Sequence, residues 1–294
     1  MARTEGPLNS ATPTGMPAGI PGVSAVDQQR SAENFPVALR ILPRRIRADL
    51  VAIYGFARLV DDIGDEYEGD RSAALDWLEG DLRNAFIGRA THPLLVRLMP
   101  TIRRRKLSLQ PFLDLIDANR RDQAQTRYAT FADLLEYCAL SANPVGRLVL
   151  ATFGVDDPAL VRLSNDVCSG LQLIEHLQDV GEDWRAGRIY LPQEDLFAFN
   201  CSEEDLGAPS ASDDVRSLLA FEAARCHELL RSGRPLVRGL HGWARLAIAG
   251  FVAGGEATLD SIQQEGVDVL AVQCRPRRGR VVEHAMSLLF GKPR

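Results

Sequence analysis

Apolar residues recur with the 3.6-residue period of an α-helix along almost the whole chain from Val26 onward. No segment has the sustained period-2 alternation of a half-buried strand, and aromatic residues make up only 6% of the chain. Glycine, proline and clustered polar residues separate the periodic segments. The pattern predicts one all-α domain of about eight to ten helices packed around a shared centre. The predicted helices span residues 37–59, 73–86, 94–104, 110–124, 131–149, 158–182, 213–231, 235–263 and 281–289.

The first 25 residues are rich in proline, glycine, serine and threonine, and they lack the apolar content needed to form a packed face. We therefore expect residues 1–25 to be disordered and residues 26–294 to form the all-α domain. The segment has neither the basic start nor the apolar centre of a secretory signal. No run approaches the ~20 apolar residues of a spanning helix, so we expect a cytoplasmic protein.

Net charge and cysteine content exclude several functional classes. A net charge of −5 gives no argument for nucleic-acid binding. The five cysteines are odd in number, scattered and without a CxxC pair. This predicts free thiols in a reducing compartment rather than a disulfide framework or a zinc site.

Two acidic segments stand out against this apolar background. They read "DIGDEY" at residues 62–67 and "DVGEDW" at residues 179–184. Each lies at the end of a helical pattern, and each has polar residues in register with its acids on one helical stripe. The first stripe consists of Tyr54, Arg58, Asp61 and Asp65. The second consists of Gln172, Glu175, Asp179 and Asp183.

Neither acidic segment favours a stable helix by itself. Like charges at i and i+4 destabilise a helix by a few tenths of a kcal/mol. Gly64 and Gly181 each cost up to about 1 kcal/mol against alanine. A divalent cation would reverse the effect of the charges, because carboxylate oxygens are the preferred ligands of Mg²⁺. Two such stripes therefore predict Mg²⁺ bound to a diphosphate substrate, whereas a single one would indicate only a solvated acidic face.

The first segment contains two possible acid pairs at i, i+4 spacing. Asp61 and Asp65 form one pair, and Asp62 and Glu66 form the other. We choose Asp61 and Asp65 because that pair is in register with Arg58. Arg58 and Arg188 have the chemistry to bind the diphosphate.

The sequence resembles the squalene/phytoene synthase family of class I isoprenoid synthases from about residue 31 to residue 280. The resemblance is carried by "YGFARLVDDIGDE", "YCALSANPVGRLVL" and "GLQLIEHLQDVGEDWRAGRIYLP". It implies a helical bundle with a central cavity, in which two acidic motifs hold Mg²⁺ against a polyprenyl diphosphate. It implies metal ligands at Asp61, Asp65, Asp179 and Asp183, to which the shared stripe adds Glu175. It also implies that Tyr54, Arg58, Gln172 and Arg188 contact substrate or support these ligands.

Within the family, two strings are similar to the bacterial hopanoid branch called hydroxysqualene synthase. They are "SAENFPVA" at residues 31–38 and "SANPVGRLVL" at residues 141–150. This similarity implies ionisation of presqualene diphosphate and capture of the rearranged cation by water, without NADPH. The alternatives are head-to-head condensation of two prenyl diphosphates and a non-catalytic helical protein that kept the fold.

Two positions depart from the family pattern. Many relatives have asparagine where this chain has Glu175, and many squalene-forming relatives have tyrosine where it has Leu140. Loss of that hydroxyl argues against the first condensation. Tyr137, one helical turn away, is the candidate substitute, although it also has the features of a core residue. His176 lies about 100° around the helix from Glu175, which favours a core or supporting position.

The end of the chain, "CRPRRGRVVEHAMSLLFGKPR", combines a basic start with an apolar run. It is consistent with peripheral contact with an anionic membrane, and equally with a C-terminal helix docked on the bundle.

Overall fold

A computed structural model describes residues 15–22 and 42–291. It contains thirteen α-helices and one 3₁₀ turn in these ranges, and no strand there. The prediction of an all-α fold is confirmed. The proposed domain boundary at residue 25 and the string at residues 31–38 lie outside the described residues.

The helices fall into two compact units, Met1–Gln123 and Ala124–Arg294. The first unit contains α1 (Arg44–Asp65), α2 (Arg71–Phe86), α3 (Pro93–Arg105) and α4 (Gln110–Asp122). The second contains α5 (Phe131–Ser141), α6 (Asn143–Thr152), α7 (Pro158–Gln178), α8 (Val180–Arg185), α9 (Gln193–Ala198), the 3₁₀ turn Glu204–Gly207, α10 (Asp213–Gly233), α11 (Pro235–Gly239), α12 (Gly242–Gln264) and α13 (Arg278–Phe290).

In the first unit, α1 packs against α2, α3 and α4. Its apolar face is fully buried, and the ring of Phe56 meets that of Phe112 edge-on at 5.1 Å. At the other end of α1, buried Asp49 accepts hydrogen bonds from Thr101 at 3.0 Å, from Arg105 at 2.7 Å and from Arg104. These contacts fix α1, and therefore the first acidic motif, on α3 and α4.

In the second unit, α7 is central and packs against α5, α6, α10, α11 and α12. Side-chain caps begin α5 and α7 in this unit. Asp157 accepts from the Ala159 amide at 2.8 Å, and Thr130 and Asp133 form a capping box at the start of α5. The Asp157 cap sets where α7, the helix that leads into the second acidic motif, begins.

Three long predicted helices are interrupted. The segment 131–149 breaks at Ala142, because Pro144 cannot donate a backbone hydrogen bond to the preceding turn. The segment 235–263 breaks between Gly239 and Gly242, where Gly242 has a φ of 55°. The segment 158–182 breaks at Asp179, inside the second acidic motif. In each case the apolar periodicity continues across a local break in the backbone.

Residues 15–22 belong to the first unit and have no helical structure. The Tyr67 hydroxyl donates to the Ala18 carbonyl at 3.0 Å, and Nε2 of His92 lies 3.1 Å from the Pro21 carbonyl. None of the described helices is long and apolar enough to cross a lipid bilayer. All five cysteines are free, as the sequence predicted.

Candidate active site

The first acidic motif occupies the last turn of α1, where its two acid pairs have different environments. Asp61 and Asp65 are exposed to solvent, whereas Asp62 is only 2% exposed. Asp62 therefore belongs to the packed side of α1. The pair chosen from the sequence, Asp61 and Asp65, is the one that can reach a ligand in solvent.

Arg58 contacts the acids of the other pair. Its Nε lies 2.6 Å from Oδ1 of Asp62, and its terminal nitrogen lies 3.0 Å from Oε1 of Glu66. The sequence placed Arg58 in register with Asp61, but the side chain pairs with Asp62 at i+4 and with Glu66 at i+8 instead. This pairing occupies the alternative acid pair and leaves Asp61 and Asp65 as the accessible carboxylates. The role of Arg58 as a diphosphate contact stays a prediction.

Asn119 on α4 is a further member of this motif that the sequence did not reveal. Its amide nitrogen donates to Oδ1 of Asp61 at 3.2 Å and to the Leu115 carbonyl at 3.4 Å. A Cβ on Gly64 would overlap with the Asn119 side-chain oxygen. Gly64 therefore allows α1 and α4 to approach each other closely, which explains why the chain has a glycine in the last turn of α1.

Asp61 lies among many protein atoms although water reaches its side chain. This crowding, together with the charges of Asp65 and Asp62, raises the pKa of Asp61 to about 7 against the opposing effects of Asn119 and Arg58. Burial likewise raises the pKa of Asp62, although Arg58 opposes the shift. The carboxylate form of Asp61 is thus electrostatically disfavoured until a cation is supplied.

The second acidic motif spans the end of α7 and the start of α8. The backbone breaks at Asp179, yet its amide still bonds to the Glu175 carbonyl at 3.0 Å, and the Asp183 amide bonds to the Asp179 carbonyl at 2.8 Å. The i, i+4 bonding therefore continues through the break and keeps the predicted stripe together. Glu175 and Asp179 are exposed, whereas Gln172 and Asp183 are half-buried.

Gly181 has a different environment from Gly64. A Cβ there would lie 3.5 Å from a methyl group of Leu270, which is ordinary van der Waals contact. Packing does not require this glycine. The two similar hexamers thus use their glycines for different reasons.

Asp179 is the second carboxyl with a raised pKa. Burial, followed by the charges of Asp183 and Glu182, raises the pKa of Asp179 to about 6. No cationic side chain is among the causes of this shift. Both motifs thus contain an accessible aspartate whose negative charge is destabilised by its surroundings.

His176 connects two predicted site residues within α7 and α8. Its Nε2 lies 3.3 Å from the Gln172 amide nitrogen, and its Nδ1 lies 3.7 Å from Oδ2 of Asp183. Its ring stacks on Tyr190 with centroids 3.7 Å apart. The sequence favoured a core or supporting position for His176, and in the structure it supports both polar neighbours.

Tyr137 lies in a buried aromatic cluster. Its ring centroid lies 5.4 Å from that of Tyr128, 5.5 Å from that of Tyr190 and 6.2 Å from that of His176. Its side chain is 5% exposed, as the core interpretation required. The catalytic role considered for Tyr137 stays a prediction.

The remaining predicted site residues lie close to these motifs in the chain. Tyr54 is half-buried on α1, one turn before Arg58. The backbone amide of Arg188 bonds to the Asp183 carbonyl at 2.8 Å, which holds Arg188 next to the second motif. Arg127 supports the same loop by donating to the Gly187 carbonyl at 2.7 Å.

The arrangement of carboxylates determines which metal chemistry each motif can support. Among the described residues, no group of three His, Cys, Asp or Glu side chains is placed to enclose a metal ion. The described residues therefore offer no candidate for a site in which protein side chains alone coordinate the metal, as they do for structural zinc. Mg²⁺ requires less from the protein, since it commonly binds one or two carboxylates together with substrate phosphates and water. The exposed acids of each motif fit that requirement.

Comparison with known proteins gives the same family for almost the whole chain. Residues 28–282 match the family model described as squalene/phytoene synthase. A hydroxysqualene synthase from Rhodopseudomonas palustris is 39% identical over 207 residues, which cover 69% of this chain and 70% of that protein. A 15-cis-phytoene synthase from Synechococcus elongatus is 33% identical over 256 residues, covering 82% of each chain.

Solved structures agree with these sequence relationships. The crystal structure of a squalene synthase from Alicyclobacillus acidocaldarius superimposes with a TM-score of 0.77 at 42% identity, covering 83% of this chain and 94% of the other. A dehydrosqualene synthase in complex with a ligand has a TM-score of 0.80 at 23% identity, covering 90% and 94%. The latter likeness concerns the fold alone.

Proposed function

The chain belongs to the squalene/phytoene synthase family of isoprenoid-synthesising enzymes, and we propose that it converts presqualene diphosphate and water into hydroxysqualene and diphosphate. The main support is the similarity to two hydroxysqualene synthases, at 39% identity for the protein from Rhodopseudomonas palustris and 37% for that from Sinorhizobium fredii. The apolar residue Leu140, in place of the tyrosine of many squalene-forming relatives, favours this reaction over the condensation that precedes it.

Mg²⁺ is the proposed cofactor. Asp61 and Asp65 of the first motif, and Asp179 and Asp183 of the second, would hold it, and Glu175 adds a further carboxylate on the second stripe. The observation that carries this assignment is the i, i+4 placement of two carboxylates in each motif, Asp61 with Asp65 and Asp179 with Asp183, of which only Asp183 is half-buried and the others are exposed. The pKa values of Asp61 and Asp179, raised to about 7 and about 6, agree with it. A bound divalent cation would favour the charged form of both carboxyls, and so oppose the burial and the neighbouring negative charges that raise their pKa values. Bound Mg²⁺ supplies stabilisation of the negative charge that develops on the departing diphosphate.

The reaction starts when the carbon–oxygen bond breaks and its electron pair leaves with the diphosphate. Arg188 and Gln172, which lie beside the second motif, would bind diphosphate oxygens. The roles of Tyr54 and Arg58 as substrate contacts on α1 stay predictions from the sequence. The cyclopropane then opens as its bonding electrons move to the cationic carbon. One water adds to the rearranged cation and loses a proton, which gives the alcohol. Apolar side chains of the helices exclude other water while the cation exists.

Head-to-head condensation is the second candidate. The similarity to the phytoene synthase from Synechococcus elongatus, which covers 82% of this chain, favours it. Tyr137, packed against Tyr128 and Tyr190, is the hydroxyl on α5 that would then replace the one missing at Leu140.

Separate incubations with presqualene diphosphate and farnesyl diphosphate distinguish these reactions. With Mg²⁺ and without NADPH, we expect presqualene diphosphate to give hydroxysqualene and farnesyl diphosphate alone to give little product, as analysed by mass spectrometry. Efficient formation of presqualene diphosphate from farnesyl diphosphate would move the chain to the condensing branch. Absence of turnover with either substrate would support a non-catalytic protein.

A further inference from the structure

The C-terminal helix α13 packs mainly on α12, with a smaller contact to α11. Nε of Arg280 donates to Asp260 at 2.8 Å, and the ring nitrogens of His284 lie 2.9 Å from Glu256 and 2.8 Å from Asp260. No residue of α13 is buried. The docked C-terminal helix considered from the sequence is thus what the structure contains, and most of the helix surface remains accessible.

An apolar stripe runs along the accessible side. Val282, Met286 and Phe290 are 63%, 53% and 75% exposed. They follow one another at i+4 spacing, so they lie in a row on one face of the helix. Single exposed apolar residues are common on protein surfaces, but a contiguous row indicates a surface that binds a membrane or another protein.

Positive charge is concentrated at the start of the same helix. Arg275, Arg277 and Arg278 are exposed, and none of them makes a hydrogen bond or an ion pair with a described residue. Glu283 is the single acid in α13, and it is paired with Arg280 at 2.6 Å. The start of α13 therefore carries three exposed arginines, none of which is paired with a carboxylate among the described residues.

We propose that this surface, formed by Val282, Met286, Phe290, Arg275, Arg277 and Arg278 and called here the α13 face, binds an anionic lipid bilayer. A helix with an apolar row and clustered cations lies in the interface of a membrane, with the apolar side chains among the acyl chains. Arginine binds lipid phosphate through paired hydrogen bonds. Both components of the α13 face thus have a partner in the same bilayer.

A second copy of the chain fits the α13 face less well. In a two-fold dimer the same patch must be complementary to itself. The α13 face has three unpaired cations and no carboxylate to meet them, so self-association would bring like charges into the contact. The bilayer supplies the missing negative charge.

This proposal goes beyond the proposed reaction and does not depend on it. Membrane contact would place the enzyme where long apolar substrates dissolve. An inactive protein could still bind through this surface, and an active one could work from solution. Binding and turnover are therefore measured separately.

Vesicle flotation of the full-length protein tests the proposal. We expect the protein to float with vesicles of phosphatidylcholine and phosphatidylglycerol, to bind vesicles of phosphatidylcholine alone more weakly, and to dissociate as salt is raised. One variant combines Val282→Ser, Met286→Ser and Phe290→Ser, and a second combines Arg275→Gln, Arg277→Gln and Arg278→Gln. The glutamine variant should bind at least about tenfold more weakly, since a single arginine near an anionic surface contributes roughly fivefold. The serine variant should bind at least about tenfold more weakly as well, because it removes the apolar side chains that enter the bilayer.

Phe197→Ser is the matched control. Phe197 is 86% exposed on α9, outside the α13 face, so its loss should leave flotation unchanged. Circular dichroism checks that all variants keep their helical content, and turnover of detergent-dispersed substrate should match the wild type in all of them. Wild-type protein that fails to float, or triple variants that float like the wild type, would overturn the proposal. A wild-type dimer that the serine variant converts to monomer, without vesicle binding, would show that a second copy covers this surface.

Discussion

Gly64→Ala should damage the protein even though alanine is the better helix former. The substitution gains up to about 1 kcal/mol in helix propensity. Its Cβ, however, would overlap with the Asn119 side chain, and overpacking of this kind costs about 1–3 kcal/mol. Displaced Asn119 would also lose its 3.2 Å hydrogen bond to Asp61, and bonds to charged groups contribute about 1.5–3 kcal/mol. Because Asp61 is exposed, we use the lower end and expect a net loss of about 2 kcal/mol.

Gly181→Ala is the control, since its Cβ would lie at an ordinary 3.5 Å from Leu270. Urea denaturation should show Gly181→Ala unchanged or more stable by up to about 1 kcal/mol, and Gly64→Ala less stable and slower in turnover. Adding Asn119→Ala to Gly64→Ala should restore much of the stability, because it removes the group that the Cβ meets. Equal stability of the two glycine variants would refute the packing argument for Gly64.

Three further predictions concern the acids. Asp61→Ala and Asp179→Ala should each lower turnover at least about 100-fold with helical content unchanged, and activity retained by either variant in Mg²⁺ would remove that residue from the metal site. Glu175→Asn should raise the Mg²⁺ concentration for half-maximal activity several-fold without abolishing turnover, and superimposable Mg²⁺ titrations would place Glu175 outside the site. Asp49→Asn should reduce the free energy of unfolding by about 2–4 kcal/mol at neutral pH, because it breaks a buried ion pair. Burial opposes the shift, but the hydrogen bonds from Arg104 and Arg105 lower the pKa of Asp49 below its ordinary 3.8. The difference in unfolding free energy between the wild type and Asp49→Asn should therefore persist down to about pH 3.8 and shrink as the pH falls through the lowered pKa. A difference that stays constant in acid would contradict this prediction.

The sequence predicted the helices well because apolar periodicity reports directly which face of a segment is buried. It missed the breaks at Ala142, at Asp179 and between Gly239 and Gly242, where a local backbone preference acts within a continuing apolar pattern. Pro144 could have indicated the first of these breaks. The second has only Gly181 and clustered charge as signals, and both were also compatible with a continuous helix.

The candidate site was predicted only in part because a sequence stripe identifies which side chains share a face, but not their partners. Arg58 is in register with Asp61, yet it pairs with Asp62 and Glu66. Asn119 comes from another helix and carries no motif, so its bond to Asp61 depends on tertiary packing alone. Such side-chain contacts can be identified only from the three-dimensional structure, whereas the acidic residues themselves could be identified from their spacing in the sequence.

The most direct test of the proposed reaction is to incubate the protein with presqualene diphosphate and Mg²⁺ in water enriched in oxygen-18, without NADPH. Asp179→Ala serves as the control. The proposed reaction requires hydroxysqualene that carries the heavy oxygen in its hydroxyl group, with diphosphate released in equal amount, and neither product from the control. Unlabelled hydrocarbon products, or unchanged presqualene diphosphate with the wild-type protein, would contradict it.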